Sequence, residues 1–445
     1  MIKLLFSLFI AKLISRLCRL LPLGGGTALP GLIALKLDSS FLTKLTQKNQ
    51  LQSIIITGTN GKTTTSRLLG TILQTNSTPY IHNRAGSNLL RGIASTLINQ
   101  TNLLGQLTTK KLAIWEVDEA VAPQAIKQLQ PQILLFTNLF RDQLDRYGEI
   151  DTVLKNWRTG LKSLPQTACL IVNLDDPSLN YLASTWPHQQ KIITFGLSKN
   201  LSSKTSPSHA ADALFCPKCL KPLHFSHIFT SHLGHYRCSN CSFKRSQPQL
   251  ELKSSSQPSS LPGLHNLYNL LAATAVAQAL NINQNIINQA IKAYQPAFGR
   301  AESFKLAKLP TNILLVKNPA GFNTTLETLK AKNHLNSKPL LLILNDLIAD
   351  GTDVSWIWDV DFEHLKSRKS PLITSGLRAH DLSLRLKYAG LKPQLIITQP
   401  SIKKALKKLQ SLKGSPGYIL PTYTAMLKLR QILKQQRLIH STWED

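Results

Sequence analysis

The sequence predicts an α/β fold built on a parallel sheet, and three observations predict it. Short apolar runs alternate with helical stretches from residue 51 onward, the pattern of strands joined by crossover helices that cover both sheet faces. Lys62, Glu116, Asn138 and Asn173 fall at the ends of those runs, where open parallel sheets collect their ligands. The chain has 445 residues, 42% of them hydrophobic, which suffices for two or three domains with substantial cores.

Residues 1–45 read as an N-terminal amphipathic segment. Its longest uncharged run, Leu4 to Ala11, is far shorter than the roughly 20 residues that span a bilayer. No small-residue cleavage site follows, which argues against a signal peptide. Phe6, Phe9, Ile10, Leu13 and Leu17 recur at helical spacing, with Lys3, Lys12, Arg16 and Arg19 among them. That pattern fits two placements, a helix on an anionic membrane face and a helix packed on its own protein.

Ile54-Ile55-Ile56 then empties into Thr57-Gly58-Thr59-Asn60-Gly61-Lys62-Thr63-Thr64. A buried strand followed by such a loop and a helix start is how a protein holds a nucleotide triphosphate. Glycines admit the backbone, amide N–H groups meet phosphate oxygens, and the lysine neutralises charge. Only Thr59 and Asn60 separate Gly58 from Gly61, a shorter gap than the common P-loop has. Ser66 to Leu73 continues the helix after it. Strands follow at Leu112–Asp118, Ile133–Asn138 and Cys169–Asn173, the last leading into Asp175-Asp176-Pro177. Glu116, a carboxylate at a strand end beside the phosphate loop, joins the Thr63 hydroxyl as an oxygen ligand for Mg²⁺.

Asn200 to Ser208 reads as a linker. Cys216-Pro217-Lys218-Cys219 comes next and, after eighteen residues, Cys238-Ser239-Asn240-Cys241. Two such knuckles, Cys216, Cys219, Cys238 and Cys241, supply four thiolates for a tetrahedral zinc, and the ribbon between them is too polar to fold by core burial alone. With no open position the site is structural, and His224, His227, His232 and His235 read as surface or packing residues. The low-complexity stretch Gln247 to Pro262 closes this insertion, which occupies about 210–250. Asn266 and Asn269 then share one face ahead of the Ala-rich helix Leu270–Leu280, available to a nucleotide edge or as cap and turn residues.

The remainder reads as a smaller C-terminal α/β domain. Strand Leu340–Leu344 releases into a loop carrying Asp346, Asp350 and Asp353, three aspartates within eight residues. Such a cluster is expensive unless it binds or catalyses something. Leu395–Thr398 and Tyr418–Pro421 supply further strands, with helix Ser401–Leu412 between them.

The charge balance, 52 basic against 23 acidic residues or +29, calls for an anionic partner: nucleic acid, an acidic membrane or a polyanionic substrate. The excess is spread widely, as in Arg378 to Lys387 and Lys403 to Lys413. Cys18 and Cys169 stand alone outside the four-cysteine cluster, which does not suggest a secreted disulfide scaffold and fits a reducing cytosol.

Gly58 to Thr64, Glu116, Asp175-Asp176-Pro177, His265-Asn266-x-x-Asn269 and Gly299-Arg300 together resemble the Mur ligase superfamily. Three features narrow the resemblance to the branch that amidates lipid II with a GatD-like glutaminase. They are the four-cysteine insertion, the stretch Phe136-Thr137-Asn138-Leu139-Phe140-Arg141-Asp142-Gln143-Leu144-Asp145-Arg146-Tyr147-Gly148-Glu149-Ile150-Asp151, and the pair Lys317-Asn318-Pro319-Ala320-Gly321 and Ala349-Asp350-Gly351-x-Asp353-x-Ser355-Trp356. The resemblance implies a central ATP-binding domain at 46–303 and a C-terminal domain at 304–445. It implies ATP, Mg²⁺ and Zn²⁺, with Gly58, Thr59, Asn60, Gly61, Lys62, Thr63, Thr64, Asn266, Asn269 and Arg300 around the nucleotide. The reaction it implies is ATP-dependent amidation, through an acyl phosphate, of the D-glutamate α-carboxylate in the lipid II stem peptide. Ammonia would come from the glutaminase in a heterodimer.

By motif match the catalytic aspartate is Asp353, with Asp350 and Asp346 as second choices and Lys62 acting on the phosphoryl group. The phosphate loop begins at residue 58, leaving no room before it for the UDP-sugar domain of most members, which suits a lipid-linked substrate. That implies a cytoplasmic place, peripheral at the inner membrane face, and no nucleic acid. Gln143 stands where those members have a histidine that helps hold a second magnesium, and Leu347 is apolar where the family has a polar residue. Two alternatives share some of these features. A nucleic-acid-binding ATPase would use the basic charge, yet aromatics are 7% and do not interleave with the basic stretches as base stacking needs. A ligase adding an amino acid, as folylpolyglutamate synthetases do, shares the loop.

Overall fold

The computed structural model describes residues 2–20, 28–83, 87–108, 111–142, 150–201, 204–253, 263–294, 302–307 and 309–439. Strands β1 (Gln52–Thr57), β2 (Tyr80–His82), β3 (Leu112–Glu116), β4 (Ile133–Phe136), β5 (Cys169–Asn173) and β6 (Ile192–Leu197) lie in one sheet. A separate hairpin, β7 (Leu223–Thr230) with β8 (Leu233–Cys238), precedes β9 (Leu250–Leu252), which rejoins that sheet. The order is β2-β3-β1-β4-β5-β6-β9, and every pairing is parallel.

Strand β1 sits inside the sheet, with Ile54 beside Ile114 on β3 and Ile133 on β4. Its side chains alternate between faces, so Ile55 joins one core while Ile54 and Ile56 join the other. Both faces are dry, which is why the strand reads as an unbroken isoleucine run. The first core is roofed by helices Ile2–Leu20, Leu29–Leu37, Phe41–Lys48, Leu90–Gln100, Ala122–Leu129 and Ile150–Leu161. The second is closed by the phosphate-loop helix Lys62–Thr75 and by Leu264–Ala279 and Gln284–Ala293. The N-terminal segment thus shares the sheet's own core: Leu4, Leu8 and Ala11 of the first helix are buried in it.

Two expectations about the insertion need correction. The ribbon is less polar in effect than its composition suggests, because Leu223, Phe225, Ile228, Tyr236 and Phe243 bury a small core of their own with Cys216 and Cys238. The low-complexity stretch 247–262 is also not wholly irregular, since its residues 250–252 form the edge strand β9 beside β6. Asp175, fully buried just beyond β5, ties the ribbon to the sheet. Its carboxylate accepts the Leu197 N–H at 2.8 Å, the Tyr268 hydroxyl at 2.7 Å and Arg245 Nε at 2.8 Å. Its carbonyl accepts the N–H of Gly234 at the start of β8 at 2.9 Å. Burial pushes the Asp175 carboxyl above its ordinary range, and Arg245 opposes that push.

A second, mixed sheet follows: β10 (Glu302–Leu306), β11 (Leu309–Ile313), β12 (Leu340–Ile343), β13 (Leu372–Ser375), β14 (Ile396–Thr398) and β15 (Gly417–Pro421), in the order β10-β11-β15-β12-β13-β14. Only β10 and β11 are antiparallel. Strands β12, β14 and β15 and the helix Ile402–Ser411, capped by Ser401, stand where the sequence places them. This unit reaches back to the connections around the first sheet through Lys317 Nζ to Asp142 Oδ2 at 2.5 Å, Lys204 to Glu327 at 2.5 Å and His209 to Asp361 at 2.8 Å.

Asp175→Ala takes the nearer carboxylate from the Arg245 guanidinium, whose side chain is only 5% exposed, and leaves it Glu251 at 3.5 Å. Removing one partner of a buried pair costs about 3–5 kcal/mol, and chemical denaturation should show a loss of that size with the ribbon detaching from the sheet.

Candidate active site

Two backbone positions shape the phosphate loop. Gly58 has φ 129° and Gly61 φ 88°, both in the left-handed region that side chains rarely enter. Space forbids a side chain as firmly: a Cβ on Gly61 would lie 2.1 Å from Asn269 Oδ1, and one on Gly58 would lie 2.3 Å from Thr137 Oγ1. The loop is therefore clamped between the end of β4 and the helix Leu264–Ala279. Asn138 accepts the Thr59 N–H on its carbonyl at 3.0 Å and the Asn60 N–H on Oδ1 at 2.8 Å. The Thr137 hydroxyl donates to the Asn60 carbonyl at 2.8 Å. Two amides expected at the phosphates are thus directed to Asn138. The phosphate-facing part of the loop is the first turn of Lys62–Thr75, where amide donors and the positive end of the helix dipole coincide.

Lys62 is buried, with Nζ on the Gly58 carbonyl at 2.5 Å, the Thr59 carbonyl at 3.3 Å and Glu119 Oε2 at 2.8 Å. Glu119 was missed by the sequence reading, which took only Glu116 from the acid-rich end of β3. Three carboxylates gather here, Asp118, Glu119 and Asp142, against the ammonium groups of Lys62 and Lys317. Burial pushes Glu119 up, but Lys62 and Lys317 outweigh it and hold the carboxyl below its ordinary range. Burial keeps Asp118 and Asp142 above theirs, with the Glu119 charge adding to the push. Asp142 Oδ1 is buried without a hydrogen-bond partner among the described residues.

In front of this cluster the Thr63 hydroxyl donates to Glu116 Oε1 at 2.7 Å. The two oxygens expected to hold Mg²⁺ thus share one spot at the helix start. An oxygen-only donor set suits a hard cation. Asn266 and Asn269 do share a face, with Asn269 Nδ2 donating to Asn266 Oδ1 at 3.1 Å. Asn269 turns toward the loop, taking the Thr65 hydroxyl at 3.4 Å. From the second unit, Asn318 Nδ2 donates to Asn60 Oδ1 at 3.1 Å, so the loop has a neighbour on its open side as well. Arg300 and Gln143 lie outside the described residues.

The three aspartates after β12 divide sharply. Asp346 pairs with Arg378 Nε at 2.7 Å, while Asp350 is buried and takes the Thr424 N–H at 2.8 Å and its hydroxyl. Burial lifts the Asp350 carboxyl above its ordinary range. Asp353 is exposed, with its carboxylate on the N–H of Ser355 at 2.8 Å and the Ser355 hydroxyl at 2.9 Å. Exposed Leu347 and Ile348 flank these aspartates, and a cleft of about 610 Å³ lined by Asn345, Leu347, Leu377, Thr424 and Leu427 opens beside them.

The four predicted cysteines do come together. Cys216 Sγ lies 3.6 Å from Cys241 Sγ, Cys219 Sγ lies 3.4 Å from Cys238 Sγ, and all four are within 4.8 Å of one another. Tetrahedral bonds of about 2.3 Å to zinc place sulfurs roughly 3.8 Å apart, so the cluster fits. Burial pushes the Cys216 thiol up to about 12, while the Lys221 N–H holds Cys219 down to about 6. A divalent cation is what would hold all four as thiolates together. The histidines serve elsewhere: buried His232 packs on Phe140 with ring centroids 4.6 Å apart and accepts the Asp212 N–H at 3.1 Å. Burial lifts the Cys169 thiol to about 11, leaving it no thiolate character near neutrality.

Metal analysis of the purified chain should find about one zinc per chain, and Cys219→Ser should remove it; a metal-free wild-type chain would contradict the assignment.

Residues 56–277 match the Mur ligase middle domain and residues 315–426 the MurT ligase C-terminal domain. Over 425 residues the chain is 35% identical to the lipid II isoglutaminyl synthase (glutamine-hydrolyzing) subunit MurT of Staphylococcus aureus, covering 92% of this chain and 93% of that one. The Streptococcus pneumoniae protein of the same name is 31% identical over 433 residues, 94% of each chain. Among solved structures, a pseudomurein peptide ligase type C from Methanothermus fervidus superimposes with a TM-score of 0.67 at 23% identity, over 88% of this chain and 80% of the other.

Proposed function

The chain belongs to the Mur ligase family, in its MurT branch, and from that premise we propose that it amidates the D-glutamate α-carboxylate of the lipid II stem peptide. A carboxylate is a poor acyl donor. Its oxygen attacks the terminal phosphorus of ATP and ADP departs, leaving an acyl phosphate. Ammonia then adds to the carbonyl carbon and loses a proton, and phosphate leaves with the former C–O bonding pair to give D-isoglutamine.

Each step has residues to serve it. Lys62, held at the loop by Glu119, is placed to meet charge on the transferred phosphoryl group. Gly61 to Thr64, at the start of the helix Lys62–Thr75, form its cradle, and Asn266, Asn269 and Arg300 would seat the rest of the nucleotide. Thr63 and Glu116 would hold Mg²⁺, which when bound screens the phosphate oxygens. Asp353 faces solvent on a loop edged by exposed Leu347 and Ile348, a suitable surface for a GatD-like glutaminase that hands over ammonia. With Cys18 on the first helix, Cys169 held as a thiol and the other four cysteines clustered, the ammonia source is that partner. Lipid II places the work at the cytoplasmic face of the membrane.

The observation that carries this reading is the pairing of two sites, the Lys62–Thr63–Glu116 loop and outward-facing Asp353, in a chain that aligns with isoglutaminyl synthase subunits over 92% of its length. Two variants separate the halves of the reaction. Lys62→Ala should lower ATP turnover by at least about 10²-fold. It also strands Glu119, so adding Glu119→Gln should restore the melting temperature without restoring turnover. Asp353→Asn should lose glutamine-driven amidation while ammonium salts still support it. ATP turnover surviving in Lys62→Ala, or undiminished glutamine use in Asp353→Asn, would contradict the assignment.

A further inference from the structure

The first helix, Ile2–Leu20, is apolar on two sides. Leu4, Leu8 and Ala11 are buried against the body. The helix is pinned there by Lys12 Nζ on the Ile98 and Thr101 carbonyls at 2.7 and 2.5 Å and by the Ser15 hydroxyl on Asn99 Oδ1 at 2.9 Å. The opposite side carries Ile2, Phe6, Phe9, Leu13 and Leu17, between 48% and 87% exposed. At about 100° per residue these five fall within an arc of roughly 80°. Exposed Lys3 and Arg16 stand on its two margins.

Beside this helix the loop after Leu90–Gln100 exposes Leu103 and Leu104; a Cβ on its Gly105 would touch Leu8 at 3.4 Å. No acidic residue precedes Asp38, which is buried and paired with Lys44 at 2.8 Å. A rigid apolar ridge with cations on its margins matches the boundary of an anionic bilayer, where rings enter the acyl edge and basic tips reach headgroups. No helix among the described residues is long and apolar enough to cross a membrane. A second copy fits poorly. Antiparallel pairing about the ridge's midpoint would set Lys3 against the partner's Arg16, a like-charge contact.

We propose that this ridge, with Leu103-Leu104, is the surface on which the chain lies on an anionic phospholipid membrane. The proposal deepens the reading of a lipid-borne substrate and rests on it for which membrane face is met. Its test uses the full chain and vesicles without lipid II, so that binding is read apart from the reaction. The wild type should sediment with phosphatidylglycerol–phosphatidylcholine vesicles and less with phosphatidylcholine alone. Phe6→Ser/Phe9→Ser should lower partitioning by at least about tenfold with an unchanged melting temperature, since both rings are exposed. Lys3→Glu/Arg16→Glu should erase the preference for phosphatidylglycerol. Wild-type protein left in the supernatant with both vesicle types, or a serine variant that binds as well as wild type, would overturn the proposal. So would a wild-type dimer in sedimentation velocity that the serine variant abolishes, which assigns the ridge to a second copy. None of these results depends on ATP turnover, so failure here leaves the ligase reading standing.

Discussion

The absence of two Cβ atoms is the constraint on which the site depends. At Gly58 and Gly61 the backbone passes so close to Thr137 and Asn269 that an added carbon would sit 2.3 and 2.1 Å from their oxygens. Because the loop is pressed between β4 and the helix Leu264–Ala279, its amides at Thr59 and Asn60 are spent on Asn138 and its helix start is aimed outward. The short gap between the glycines is thus a packing requirement as well as a phosphate-binding feature. A longer loop would have to leave the groove that Thr137, Asn138 and Asn269 make for it.

Charge is organised around the same point. Lys62 is too buried to stand unpaired, and Glu119 at 2.8 Å offsets its desolvation. The pair in turn neighbours Asp142 and Lys317, so the second unit's cation belongs to the charge balance of the first unit's loop. Asn318, one residue on, bonds Asn60 and also caps the helix Pro319–Ala331 through the Gly321 N–H at 2.8 Å. The Lys317-Asn318 dipeptide therefore links the aspartate-bearing unit to the phosphate loop. The ribbon is coupled to the sheet by a different carboxylate, Asp175, whose partners come from β6, the ribbon and the helix Leu264–Ala279.

What was legible in the sequence follows from burial. Strands β1, β3, β4, β5 and β12 are covered on both faces, and their apolar runs mark them without ambiguity. Strands β2 and β9, three residues each, exist because a neighbour pairs with them, and β9 lies in a stretch whose composition says linker. The cysteine pairs were legible because ligand spacing is a local property. Glu119 was not, since its role depends on Lys62, 57 residues away. Spacing alone does not separate the three aspartates, whereas their partners do, with Arg378 taking Asp346 and Thr424 taking Asp350. The first helix has apolar residues on two faces, so periodicity allowed both packing and a second contact, and the fold uses one face for the core.

The most direct measurement of the central claim is mass analysis of lipid II stem peptides after incubation with the chain, ATP, glutamine and a GatD-like glutaminase as partner. Conversion of the D-glutamate α-carboxylate to a carboxamide, dependent on ATP and reproduced by ammonium salts without the partner, is the expected result. A stem peptide that stays unchanged, or that gains an amino acid residue instead of an amide, would contradict it.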